Sequence, residues 1–171
     1  MVRLALLLLV TLAACGVRVD PPPLSAAKVA AAKAVRPDTR PDLRGRWTIS
    51  AVNGRATPGL WLELGSEGRA TITRKGNAIY VASPQPRTRA FLGCNSWDPS
   101  GWTRNGDTLT LGVEMSGRTE RGCDTVTEVV DEEAYAILHD PMTMELASPN
   151  RLRLTNENGA LELIRYAAQA E

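Results

Sequence analysis

The chain has 171 residues, 43% of them hydrophobic and 5% aromatic, with 20 Lys and Arg against 19 Asp and Glu. Its formal net charge of +1 is not the basic surplus that nucleic acid binding requires, so we expect no nucleic acid partner. Length and composition fit a single globular domain with additional segments.

Residues 1–14 have the features of a bacterial lipoprotein signal peptide. Arg3 precedes an apolar run that ends in small residues, and Cys15 stands where a lipobox places its acylated cysteine. A membrane-spanning helix would need about 20 apolar residues, more than this run contains. An ordinary secretory signal would leave Cys15 as an odd thiol in an oxidising compartment. We therefore predict a lipid on Cys15 that binds the membrane.

The residue after Cys15 predicts which membrane carries the protein. In lipoproteins of the enteric type, an Asp at this position retains the protein at the inner membrane. Here the residue is Gly16. We therefore predict a lipid-anchored protein of the bacterial cell envelope, at the outer membrane and facing the periplasm.

Residues 15–42 are predicted to be an Ala- and Pro-rich tether that begins with the lipidated Cys15. The segment includes Pro21–Pro23 and has almost no bulky apolar side chain. It cannot bury enough surface to offset the entropy lost on ordering. Residues 43–171 are predicted to form one domain.

Apolar residues alternate along several short segments of this domain, which is the period of a half-buried strand. The segments are Trp47–Ala51, Leu60–Leu64, Leu109–Val113, Leu152–Leu154 and Leu161–Leu163. Asn53-Gly54, Asn105-Gly106 and Asn158-Gly159 are dipeptides that suit tight hairpin turns. We predict a mostly antiparallel, curved sheet or a partly closed barrel.

One segment has helical periodicity instead. Thr125-Val126-Thr127-Glu128 has the form of a capping box, and apolar residues recur at helical spacing up to Leu138. His139 and Pro141 mark the end. We predict one helix, at about residues 126–139, packed across the sheet, and hence a β-rich α+β fold.

Cys94 and Cys123 remain as an even pair if Cys15 is acylated. In an oxidising compartment such a pair predicts a disulfide. A redox pair or a metal site is the alternative. However, the sequence has no C-x-x-C motif, and its one His cannot complete a zinc site with two distant cysteines unless carboxylates help.

Other chemically interesting residues have two interpretations each. His139 is either a general base or a helix-terminal residue, and Asp131–Glu133 are either paired carboxylates or a solvated helix face, because adjacent helical positions diverge by about 100°. Trp97 and Trp102 are either buried anchors or an exposed aromatic rim that binds a partner. No nucleophile motif accompanies His139, so we predict no catalytic, metal-binding or cofactor-binding residues and no enzyme. Trp97 and Trp102 are our candidate partner-binding residues.

Several motifs of residues 43–166 resemble those of the META/HslJ domain family. Gly93-Cys94-Asn95 followed by Gly101, and then Thr119 and Cys123, resemble its two signature stretches. Leu43-Arg44-Gly45-Arg46-Trp47 resembles its opening L-x-G-x-W strand. The resemblance implies a small, β-rich, lipid-anchored envelope protein associated with stress responses and antibiotic tolerance, a family to which no biochemical activity is generally assigned.

The function predicted from these observations is non-enzymatic. The domain would act in stress or antibiotic tolerance by binding another envelope protein or ligand. The alternative is an inhibitor of a periplasmic or host hydrolase, with the Trp97–Trp102 loop as the inserted element.

Overall fold

The computed structural model describes residues 40–167, which form fourteen short strands and one helix. The strands are β1 (Gly45–Val52), β2 (Arg55–Ala56), β3 (Trp61–Leu64), β4 (Gly68–Arg69), β5 (Thr71–Lys75), β6 (Ala78–Ala82), β7 (Arg89–Phe91), β8 (Ser96–Asp98), β9 (Gly101–Asn105), β10 (Thr108–Leu111), β11 (Gly117–Arg118), β12 (Met142–Ser148), β13 (Arg151–Asn156) and β14 (Gly159–Arg165). The helix, α1, covers Thr125–His139. The predicted β-rich α+β class is confirmed.

Twelve strands form one strongly curled antiparallel sheet with the shape of a half barrel. Its main order is β11-β8-β7-β3-β1-β14-β13-β12-β10-β9-β4, and β2 pairs with β1. The first and last strands of the domain are neighbours, with Trp47 opposite Arg165. The remaining two strands, β5 and β6, pair only with each other.

The alternating residues predicted to face inward do fill the core. Trp47 is fully buried, and its indole Nε1 donates a hydrogen bond of 2.8 Å to the carbonyl oxygen of Leu43. Other buried members of the predicted stripes are Ile49, Ala51, Leu60, Leu62, Leu64, Leu109, Leu111, Leu152, Leu154, Leu161 and Leu163. Val113 does not belong to the core and is 37% exposed, because β10 ends at Leu111 and the alternation ends with it.

The first predicted turn has the backbone that its residues favour. Asn53 and Gly54 both have positive φ, 52° and 75°, as a two-residue hairpin turn requires. The Asn53 side chain also accepts a hydrogen bond of 2.9 Å from the amide of Ala160, so the turn is tied to β14.

Helix α1 lies where the periodicity predicts it, but its N-cap is one residue earlier than the capping box indicates. The carboxylate of Asp124, rather than the Thr125 hydroxyl, accepts hydrogen bonds from the amides of Val126 and Thr127, at 3.1 and 3.0 Å. Val126 is 76% exposed, and the first fully buried residue of the helix is Asp131. The buried apolar residues of α1 are Ala134, Ile137 and Leu138.

We expect Asp124→Ala to fray the first turn of α1. A hydrogen bond with the Thr127 hydroxyl, and then one with the Thr127 amide, holds the pKa of Asp124 below its ordinary value of 3.8. Because folding lowers this pKa, the carboxylate stabilises the helix above the ordinary pKa and stops doing so as pH falls through the folded-state value. In the wild type, the amide NMR shifts of Val126 and Thr127 should change on acidification. In Asp124→Ala, they should already differ at neutral pH from those of the wild type. Glu120→Ala is the control, and unmoved amides in Asp124→Ala would refute the assignment.

Candidate functional site

Cys15, the predicted signal peptide at residues 1–14 and most of the predicted tether lie outside the described residues. The lipid anchor therefore stays a prediction. Within residues 40–167, no helix combines the length and the apolar character needed to cross a bilayer.

Cys94 and Cys123 are joined in a disulfide, with their Cα atoms 6.0 Å apart. This is the pairing predicted from cysteine parity. The bond connects the segment that follows β7 with the residue before the N-cap of α1. In the described part of the chain, no group of three or more His, Cys, Asp or Glu side chains is placed to hold a metal ion.

Asp131 is the residue at which the structure departs most from the predicted solvated face. Its side chain is only 1% exposed, whereas that of Glu132 is 59% exposed. The Asp131 carboxylate accepts hydrogen bonds from the amides of Cys94 and Asn95, at 3.2 and 2.7 Å, and from the Asn95 side chain, at 3.2 Å. It also forms an ion pair with Arg118. One buried carboxylate thus connects α1, the disulfide segment and β11.

Arg118 is held from three directions. Its guanidinium is paired with Asp131 and with Glu132, at 2.6 Å from the latter, and lies 4.2 Å from the ring centre of Tyr135. Burial alone would lower the pKa of Arg118, but hydrogen bonds to Glu132 and Asp131 outweigh it and raise the pKa above its ordinary value. Arg118 therefore stays charged.

The aromatic rim predicted at Trp97 and Trp102 is wrong. Trp97 is fully buried and Trp102 is 3% exposed, so neither side chain is offered to a partner. Trp97 packs edge-on against Tyr135 of α1, with ring centres 5.3 Å apart. Trp102 donates a hydrogen bond of 2.9 Å from Nε1 to the carbonyl oxygen of Gly65. Both are the buried anchors of the alternative interpretation, because β8 and β9 belong to the curled sheet and turn them into its core.

His139 is the last residue of α1, as its helix-terminal interpretation predicts. Its side chain is 44% exposed, with Nδ1 3.5 Å from a carboxylate oxygen of Asp140. The ring also contacts Tyr135, with centres 5.5 Å apart. Both of these contacts are local, one within its own helix and one with the residue after it.

An apolar groove of about 280 Å³ opens beside the end of α1. The groove is lined by apolar residues, Ala70, Ile72, Leu111, Val113 and Met115, and by polar or charged ones, Arg69, Ser100, Thr110, Glu114, His139 and Asp140. Met115 is 55% exposed and has a φ of 62°, a left-handed conformation that is uncommon for a residue with a long side chain. Sequence reasoning missed this groove, because its lining residues come from four separate parts of the chain.

Next to the groove, β5 and β6 form a hairpin that the sequence analysis also missed. All ten strand residues are exposed. The signal was Gly76-Asn77 between two runs of β-forming residues, a two-residue hairpin pattern. The hairpin and the groove together carry six of the ten large apolar side chains that are exposed within residues 40–167, namely Ile72, Ile79, Tyr80, Val81, Val113 and Met115. Such a concentration indicates an interaction surface rather than scattered surface residues.

Comparison with known proteins adds little beyond this description. No protein family matches the sequence, and no curated protein matches it either. An NMR structure of a protein from Burkholderia xenovorans is similar, with a TM-score of 0.49 and 22% sequence identity, and the match covers 72% of this chain and 83% of that one.

Proposed function

We propose that this protein is a lipid-anchored envelope protein of the META/HslJ kind that acts without catalysis, by binding another envelope component in the groove beside the end of α1. Its role is in stress or antibiotic tolerance. The observation that carries the proposal is the groove itself, where Val113 and Met115 are exposed on an apolar wall. Burial of such side chains by a partner is favourable.

The groove supports binding of an apolar segment with a small polar group. Ligand sites are concave, mostly apolar and equipped with a few polar groups that fix orientation. Here the polar side chains include those of Arg69, Glu114, His139 and Asp140. The volume suits a few side chains of a partner, since typical small-molecule pockets start at about 300 Å³.

The anchor has its own test. In the wild type, the protein should fractionate with the outer membrane, and mass spectrometry should find acyl chains on Cys15. Cys15→Ala should release the protein to the soluble periplasm, because acyl chains contribute about 0.8 kcal/mol per buried CH₂. An unchanged distribution of Cys15→Ala would contradict the anchor.

The groove is tested by site-specific photocrosslinking in intact envelopes. A photoreactive residue at Val113 should yield a defined adduct, whereas one at Val126, which is exposed at the other end of α1, should not. Met115→Asp should lower partner affinity about tenfold or more, with Val126→Asp as the matched control. Equal crosslinking at both positions would contradict the proposal.

The hydrolase inhibitor stays an alternative outcome of the same experiment. Burial of Trp97 and Trp102 removes the loop on which that interpretation was based. The inhibitor interpretation would replace the present proposal if the Val113 adduct is a hydrolase that the purified protein inhibits at equal concentration. Met115→Asp should then abolish the inhibition.

A further inference from the structure

We propose that the β5–β6 hairpin is a second membrane contact, which binds the anionic surface of a phospholipid bilayer. The proposal rests on the lipid anchor proposed above, because the anchor keeps the domain beside that surface. It concerns the distal half of the hairpin, whereas Ile72 of β5 belongs to the groove.

The hairpin is not needed to build the core. Its two strands pair only with each other, and all ten of their residues are exposed. A two-stranded hairpin alone is marginally stable in water, since it cannot bury a hydrophobic face. Ile79 and Tyr80 are nevertheless each 57% exposed. From their exposure we infer that these side chains are covered by an apolar environment outside the domain.

The hairpin is also basic. Arg74 and Lys75 are its charged residues, and the flanking segments between Gly68 and Thr88 add Arg69 and Arg87 but no carboxylate. Within residues 40–167, neither Arg74 nor Lys75 takes part in an ion pair. The whole chain has nearly equal numbers of acidic and basic residues, so this excess is local. Its complement is a negatively charged surface.

The distal half of the hairpin combines both properties. Arg74 lies opposite Ile79 and Lys75 opposite Ala78, directly before and after the Gly76-Asn77 turn. Tyr80 follows, opposite Thr73. Aliphatic side chains that enter the headgroup region, Tyr at the interface and cations near lipid phosphates are what an interfacial element requires. The anionic bilayer satisfies all three together.

The position at which the chain enters the domain is consistent with this contact. Arg40, the first described residue, has its guanidinium 3.9 Å from the carboxylate of Glu67, and Glu67 directly precedes β4 and the hairpin. The described part of the chain therefore begins beside the segment that leads into the hairpin.

The competing partner of the hairpin is a second copy of the chain, which would pair with it through exposed strand edges. Charge repulsion disfavours such a dimer, because two hairpins would bring their cationic residues together. The anionic bilayer is therefore the better partner.

The experiment uses the mature chain from residue 15 with Cys15→Ser, so that no acyl chain contributes to binding. We expect it to sediment with vesicles of phosphatidylcholine and phosphatidylglycerol, not with phosphatidylcholine alone, and to be released by salt. Arg74→Gln/Lys75→Gln should weaken binding about 25-fold, because each cation near an anionic surface contributes about fivefold. Arg151→Gln/Arg153→Gln, two exposed cations of β13, is the matched control and should bind like the parent.

A second pair of variants tests the apolar part. Ile79→Thr/Tyr80→Thr keeps β-forming residues and should weaken vesicle binding, whereas Ile164→Thr, at an exposed position of β14, should not. Unchanged thermal unfolding checks that every variant is folded. Equal binding to both vesicle types, or hairpin variants that bind like the parent, would overturn the proposal.

A dimer in solution that only the hairpin variants abolish would assign the hairpin to a second copy and would also overturn it. The lipid anchor and the membrane contact of the hairpin are refuted by different results. Loss of acylation would appear in mass spectrometry of Cys15, with the vesicle result unaffected, and loss of vesicle binding would leave the fractionation of the acylated protein unchanged.

Discussion

Asp131→Ala should lower the free energy of unfolding by about 3–5 kcal/mol, the cost of removing one partner from a buried ion pair. The substitution leaves the Arg118 guanidinium, whose side chain is 20% exposed, without its buried counter-charge. It also removes the acceptor for the amides of Cys94 and Asn95. Urea unfolding of the purified protein measures the loss.

Glu132→Ala is the matched control for this prediction. Glu132 also pairs with Arg118 but is 59% exposed, so its removal should cost no more than about 1 kcal/mol. Asp131→Asn separates shape from charge. The amide nearly preserves the volume but turns a donor toward groups that are themselves donors, so the loss should remain large. Equal effects at Asp131 and Glu132 would mean that burial does not determine the strength of this ion pair.

Removal of the disulfide is the other large effect. Cys94→Ser/Cys123→Ser should lower the free energy of unfolding by about 3–4 kcal/mol in the chain-entropy model, given the loop of about 30 residues that the bond closes. The cysteines are 29 positions apart in the sequence. Most of the loss is expected to come from greater freedom of the unfolded chain.

Two measurements check the origin of that loss. Reduction of the wild type should reproduce it, whereas Cys15→Ser should leave urea unfolding unchanged, since Cys15 is not part of the pair. If the single variants Cys94→Ser and Cys123→Ser destabilise additively, their sulfurs act independently and the bond is not the cause. A single common loss for both single variants and the double variant is the expected result.

The disulfide and the Asp131 carboxylate act on the same short segment. Cys94 is bonded to Cys123 before α1, and its amide donates to Asp131 within α1. The two variants should therefore be non-additive when combined, because neighbouring contacts share one structural element. This coupling gives Cys94 and Asn95 a structural role in the domain.

The sequence by itself determined the local features of this protein. Alternation placed Trp47 and Ile49 in the core, helical spacing located α1, and cysteine parity predicted the Cys94–Cys123 pair. The apolar run and the small residues before Cys15 also suggest that this cysteine carries a lipid, which stays a prediction. These features depend on neighbours along the chain or on simple counting, which is why they are accessible without coordinates.

Only the tertiary structure decided which polar and aromatic residues are buried. Asp131 resembles its neighbours Glu132 and Glu133 in sequence, and its burial depends on donors that come from Cys94, Asn95 and Arg118. Trp97 and Trp102 are buried because the curled sheet turns inward at β8 and β9. The groove and the free β5–β6 hairpin likewise depend on which distant segments meet. Local periodicity fixes the face on which a side chain lies, but contacts between distant segments decide what covers that face.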